Sequence, residues 1–139
     1  MKGERPLVLL LRGIAVAAAL AVVPVFMPHR WMDVCHRWLG LGTRPEMPVI
    51  VYLTRSLSAV YVFHAGVLWI VAGDVRRYAA LVRYLAAAFF TFGVVTLWID
   101  LRAGLPWPWI AVEGPLGIVF GLAVLILQRK IPRQASDHS

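Results

Sequence analysis

Apolar residues dominate every helical face through four stretches, 7–27, 49–72, 81–99 and 109–127, with shorter polar segments between them. A bilayer's hydrocarbon core is about 30 Å thick and a helix rises about 1.5 Å per residue, so roughly 20 apolar residues make one crossing. Each stretch meets that length. A lipid-spanning strand alternates polar and apolar residues over about ten positions, whereas 85–97 is apolar on every face and rich in Ala. Helices are the spanning structure this pattern supports. The pattern predicts an all-α fold: an integral membrane four-helix bundle, one domain over 1–139, with a polar tail at 132–139 expected to be disordered.

The longest connection, 29–48, carries its own periodicity. Trp31, Val34, Cys35 and Trp38 fall at i, i+3, i+4 and i+7, while His29, Arg30, Asp33, His36 and Arg37 take the opposite face. This predicts a short helix over about 30–39 lying in the outer interface with its indoles toward acyl chains. Gly40 and Gly42 end it, and Pro45 and Pro48 hold the chain extended. Small residues at four-residue spacing, Gly13, Ala17 and Ala21 in the first span and Gly117 and Gly121 in the fourth, predict close helix packing. Pro24 kinks the first span or marks its exit.

Composition agrees with a membrane location. The 139 residues are 60% hydrophobic and 15% charged, with a mean hydropathy of +0.75, which leaves too little polar surface to cover a soluble domain. Of the fourteen Lys and Arg, nine (Lys2, Arg5, Arg12, Arg76, Arg77, Arg83, Arg129, Lys130, Arg133) lie at the termini or in 73–84. By the positive-inside rule those segments are cytoplasmic, which predicts a multi-pass protein of the plasma (cytoplasmic) or inner membrane, with both termini inside. Trp31, Trp38, Trp98, Trp107 and Trp109 then fall at the outer interface that indoles favour. The net charge of +7 is used by this topology, and no continuous basic face remains for nucleic acid. A cleaved secretory signal is the competing reading of the N-terminus, but Arg12 interrupts the apolar region that such a signal needs. The single Cys35 excludes an intrachain disulfide.

The candidate site residues are the charges set in or against the spans, Arg55, Asp100 and Glu113, together with His64. A central arginine costs about 2.5–3.5 kcal/mol on insertion scales. Arg55 stands about two turns into its span, and Glu113 lies at a similar depth in the fourth, sharing a stripe with Gly117 and Gly121. This predicts a close Arg55–Glu113 approach with Asp100 as secondary partner, either as a clasp on the second, third and fourth helices or as a polar pocket open to the outer face. Snorkelling of Arg55 to the headgroups is the simplest alternative. His64 near mid-span is expected to be hydrogen-bonded inside the bundle rather than to ligate haem, since no second histidine falls at its depth. His29, Asp33 and His36 have metal-ligand spacing, but an exposed helix gives them no supporting shell. Neither a metal nor a cofactor is predicted.

Four short motifs from residue 49 to 127 carry a family resemblance: YLTRSLSAVY, with an arginine early in the second span; the basic turn GDVRRY; the acidic, glycine-containing turn DLRAGLPWP; and WIAVEGPLGIVFG, with a glutamate early in the last span. In this order they resemble the DoxX-like group of small four-helix membrane proteins. Leu53 departs from that pattern, because relatives often carry an acid two positions before the arginine. The resemblance implies a four-helix fold, and some relatives are associated with membrane redox systems.

These features predict an accessory subunit or lipophilic small-ligand binder with an outward-facing polar pocket. The alternative is a membrane enzyme or redox-associated subunit acting on a quinone or isoprenoid, with Glu113 or Asp100 as acid or base and Arg55 positioning the substrate. Whether the chain is an enzyme stays open at this stage. The expected partners are the lipid bilayer, a lipophilic small molecule, and a membrane protein or a second copy of the chain. A transporter has little support from four spans without a broken helix pair, unless the protein dimerises.

Overall fold

The computed structural model describes residues 4–45 and 47–131, which leaves the 132–139 tail and Glu46 outside the described residues. Seven helical segments follow one another: α1 (Arg5–Ala19), α2 (Val22–Phe26), α3 (His29–Trp38), α4 (Pro48–Val71), α5 (Ala79–Ala103), α6 (Trp107–Ile110) and α7 (Glu113–Arg129). Four spans result, Arg5–Phe26, Pro48–Val71, Ala79–Ala103 and Trp107–Arg129, each long and apolar enough to cross a membrane. The protein is a small helical membrane protein of four spans.

The first and fourth spans are each built of two helices, and a proline accounts for both interruptions. A proline removes a backbone N–H and its ring clashes with the carbonyl four residues earlier. Pro24 acts in this way on Leu20, and the chain turns at 20–21; Pro115 acts on Ala111, and the chain turns at 111–112. The fourth span is therefore not the continuous helix expected from its hydropathy. Glu113 becomes the first residue of α7.

The helices pack as two intimate pairs, α1 with α4 and α5 with α7, and α1 also touches α7. The α5–α7 contact is backbone on backbone. A Cβ placed on Gly93 would stand 2.6 Å from the Gly114 carbonyl oxygen, one on Gly114 2.6 Å from the Leu97 Cβ, and one on Gly121 2.7 Å from the Ala86 carbonyl oxygen. In the first span the expected small-residue stripe is not used. Gly13 has no neighbour within 4 Å of its Cβ direction, and Gly13 and Ala17 are exposed. Leu7, Leu11, Ile14 and Ala15 face the core instead.

The apolar core is confined to one half of the bundle. It combines Leu7, Leu11, Ile14 and Ala15 of α1 with Leu68, Val71, Ala72 and Val75, Val82, Leu85 and Ala86, and Val124. These belong to the start of α1, the end of α4, the start of α5 and the end of α7. The four spans thus run up and down, with both ends of the described chain at this basic end. An Arg76–Glu4 ion pair and a 2.6 Å hydrogen bond from Gln128 Nε2 to the Ala79 carbonyl tie it further. Arg12 stands over the Trp69 ring, 5.4 Å from its centroid.

The opposite end carries α3 and the turns. In α3, Trp31, Val34, Cys35 and Trp38 are exposed while Met32 is buried, so the apolar stripe faces away from the bundle. Asp33 pairs with Arg44 at 2.8 Å, and His36 Nδ1 lies 3.2 Å from the Gly42 carbonyl oxygen, which fastens the wet face to the following loop. The α5 C-terminus closes at Gly104, whose φ of 66° is the left-handed conformation that glycine adopts at little cost and whose N–H donates to the Asp100 carbonyl.

Gly93→Ala should lower stability by about 1–3 kcal/mol, the range for overpacking a tight contact. Gly13→Ala, with open space beside it, should stay neutral or gain a few tenths of a kcal/mol from helix propensity. SDS-induced unfolding of the two variants in mixed micelles measures both; equal effects would contradict the α5–α7 contact as the tight one.

Candidate functional site

The half of the bundle away from the apolar core is where the polar residues gather. On α4 the buried face continues past Leu68 and Ala65 through Tyr61 and Ser58 to Arg55, so one stripe changes from apolar to polar along its length. The helix backbones of α4 and α5 make little contact, and a side-chain pair joins them: His64 meets Phe89 edge to face, with ring centroids 5.2 Å apart at 80°. The hydrogen bond expected for His64 inside the bundle is replaced by this aromatic contact.

Arg55 does not pair with an acid. Its Nη2 donates to the Met27 carbonyl at 3.3 Å, and its Nε is buried without a partner. The ion pairs among the described residues, Arg44–Asp33 and Arg76–Glu4, include neither Glu113 nor Asp100. The direct Arg55–Glu113 ion pair expected from the sequence does not form, and Arg55 goes to a backbone carbonyl instead. The reason lies in the first span: α2 ends at Phe26, Met27 turns extended at ψ 132°, and Pro28 has no N–H, so carbonyls at this helix end need donors. A guanidinium at a helix C-terminus also meets the negative end of the macrodipole. Arg55 thus fastens the end of the first span to α4.

The two acids instead come toward each other at the interruption of the fourth span. In the antiparallel α5–α7 contact, Gly93 lies against Gly117 and Leu97 against Gly114. Continuing that register brings Asp100 level with the turn at 111–112, next to which Glu113 begins α7. Glu113 is within electrostatic reach of Asp100, with the Trp109 side chain near it. Tyr61 of α4 is within electrostatic reach of Glu113. Asp100 is only 4% exposed, and its Oδ2 is buried with no hydrogen-bond partner. Burying such an oxygen unpaired costs on the order of 1–3 kcal/mol, and more when the group is charged.

Tyr61 and Ser58, and Trp109 beyond its place at the outer interface, are not among the site residues expected from the sequence. Tyr61 and Ser58 share a helical stripe with Arg55, and Trp109 stands one turn before Glu113, so both signals were present as spacing. Among the former metal candidates, Asp33 and His36 are engaged by Arg44 and by the Gly42 carbonyl. A shallow groove lined by Glu4, Arg5, Val8 and Leu9 opens at the basic end, remote from the acids. No family model, no curated protein and no solved structure matches this chain.

The geometry makes Arg55 and Glu113 energetically independent. Arg55→Ala should lower stability by about 1.5–3 kcal/mol, the range for a hydrogen bond to a charged group. Glu113→Gln added to it should recover nothing, the two effects summing to within about 0.5 kcal/mol in SDS unfolding. Recovery in the double variant would restore the ion pair.

Proposed function

We propose that this protein binds a small lipophilic ligand without transforming it, alone or as an accessory subunit of a membrane complex, in a polar pocket between α4, α5 and α7. The observation that carries this reading is the buried Asp100 Oδ2, which has no hydrogen-bond partner although Asp100 lies within electrostatic reach of Glu113 at the interrupted fourth span. Buried polar atoms in folded proteins are nearly always satisfied, and an orphan at a helix interruption marks a place that a guest completes. Interrupted helices in membranes are tolerated where the freed backbone is buried in protein or lines a cavity. Between α4 and α5 the side-chain contact is the His64–Phe89 ring pair, and a guest placed there would leave the α5–α7 glycine contact intact.

The DoxX-like type fits this reading through the order of its motifs: Arg55 early in the second span, the basic turn at 73–78, the turn at 100–108 and Glu113 early in the last span. The cytoplasmic membrane, with both termini inside, follows from the concentration of basic residues at the end where the core lies. The pocket then opens toward the outer side.

Two outcomes are expected. In a Cys35→Ser background, a cysteine replacing Arg76 should react with a membrane-impermeant maleimide only after the membrane is permeabilised; reaction in intact cells would reverse the orientation. Protein purified into nanodiscs and extracted for mass spectrometry should carry a lipophilic compound that the Asp100→Asn, Glu113→Gln double variant lacks. An identical set of compounds in both would sink the ligand-binding reading.

A further inference from the structure

Orientation in a membrane asks only that cations gather at one end of a bundle; it does not dictate where on that end each one stands. Arg5, Arg12, Arg76, Arg77, Arg83, Arg129 and Lys130 lie at the basic end, against Glu4 and Asp74. Both acids are engaged within the chain. Glu4 pairs with Arg76, and the Asp74 carboxylate accepts from the Arg77 backbone N–H at 3.0 Å. The ion pairs among the described residues include neither Arg5 nor Arg12.

These two arginines mark one face of α1. Arg5, Leu9 and Arg12 fall at i, i+4 and i+7, and all three are exposed. Val16 and Leu20 continue the stripe toward mid-membrane and are exposed as well. The groove lined by Glu4, Arg5, Val8 and Leu9, about 300 Å³ in volume, opens on this face and joins an aliphatic surface to a guanidinium. Arg12 is steadied from α4: its guanidinium lies over the Trp69 ring, 5.4 Å from the centroid. Trp69 stands in the last turn of α4, which ends at Val71, so the Arg12 guanidinium is level with the end of that helix and with the interface.

A ligand that fits this surface offers a negative group and an apolar chain side by side. A guanidinium grips phosphate through paired N–H···O bonds. A soluble phosphate would use the guanidinium and leave Val8 and Leu9 bare, and a zwitterionic phospholipid would bring a further cation to an end already crowded with them. Basic pockets where spans meet the headgroups suit anionic lipid.

We propose that the groove at the start of α1 is a site for one anionic phospholipid of the adjoining leaflet, its phosphate held at Arg5 with Arg12 on the same face, and an acyl chain running over Val8 and Leu9 toward Val16. This site stands apart from the two acids, which lie at the other end of the bundle.

The test uses the full-length protein in a neutral maltoside detergent, with the thermal unfolding midpoint followed during titration with phosphatidylglycerol, phosphatidylcholine or inorganic phosphate at matched ionic strength. Phosphatidylglycerol should raise the midpoint saturably, at a half-saturating concentration about tenfold or more below that of phosphatidylcholine, and inorganic phosphate should have no saturable effect. Arg5→Gln combined with Arg12→Gln should bring that ratio to about one. Arg83→Gln combined with Arg129→Gln removes the same charge from the same end, on α5 and α7, and should keep the preference. If the first double variant does not fold, Arg5→Gln alone alters one exposed side chain and should cut the ratio by about threefold or more. Retention of the preference without Arg5 and Arg12, or equal loss in both double variants, would reduce it to a diffuse basic surface and overturn the site. Equal stabilisation by the two lipids, or none by either, would overturn it too. Saturable stabilisation by inorganic phosphate matching that by phosphatidylglycerol would give the groove to a soluble anion and overturn the lipid assignment.

Discussion

Lipid supplies no hydrophobic force between helices, so association rests on dispersion contact between surfaces that fit, and small residues permit the closest fit. Gly93, Gly114, Gly117 and Gly121 provide it between α5 and α7, where a single added methyl would overlap backbone atoms. A contact this tight has one register. Shifting it by one turn would bring Leu97 or Phe90 into the place of Gly93. Because the register is pinned at Gly93 and Gly114, Asp100 is held level with the interruption of the fourth span, where it is buried.

Two prolines then decide what each interruption exposes. Pro24 turns the first span at 20–21, and the short α2 delivers the Met27 carbonyl to Arg55. Pro115 turns the fourth span at 111–112 and makes Glu113 the first residue of α7, where the positive end of the macrodipole favours an acid. The same local chemistry thus produces opposite electrostatic results. One break presents a carbonyl and takes up the arginine; the other gathers carboxylates and is left without a cation.

The spans were legible because hydropathy and length act locally, and the glycine stripe on α7 was legible because i, i+4 spacing is a property of the helix itself. The same rule failed at Gly13 and Ala17. A stripe shows which face can pack closely, not whether a neighbour arrives there, and α1 instead turns Leu7, Leu11 and Ile14 inward. The gathering of charges in one half was also readable, since Arg55, Asp100 and Glu113 share a depth. Their pairing was not. Depth leaves the angle about the bundle axis undetermined, and the competing acceptor for Arg55, a backbone carbonyl, exists only because Pro28 follows it. Pro115 was visible in the sequence, yet its effect on Ala111 was hidden inside an apolar run whose hydropathy does not register a missing hydrogen bond.

The division of the bundle into an apolar half and a polar half carries its own mechanical consequence. Local opening is cheapest where few apolar contacts are lost. At the basic end, parting α4 from α5 and α7 would expose Leu68, Val71, Val82, Leu85 and Val124, all buried in one cluster. At the other end the contacts are more polar: His64 meets Phe89 edge to face, Ser58 and Tyr61 replace the aliphatic residues of the α4 stripe, and α4 packs on α2, with the Arg55–Met27 hydrogen bond across that contact. Arg55 ties α4 to the first span, its own partner, so no ion pair among the described residues joins the α1–α4 pair to the α5–α7 pair at the polar end. The arginine that looked like a clasp across the second, third and fourth helices stiffens the first pair instead, and the polar end is the cheaper one to open.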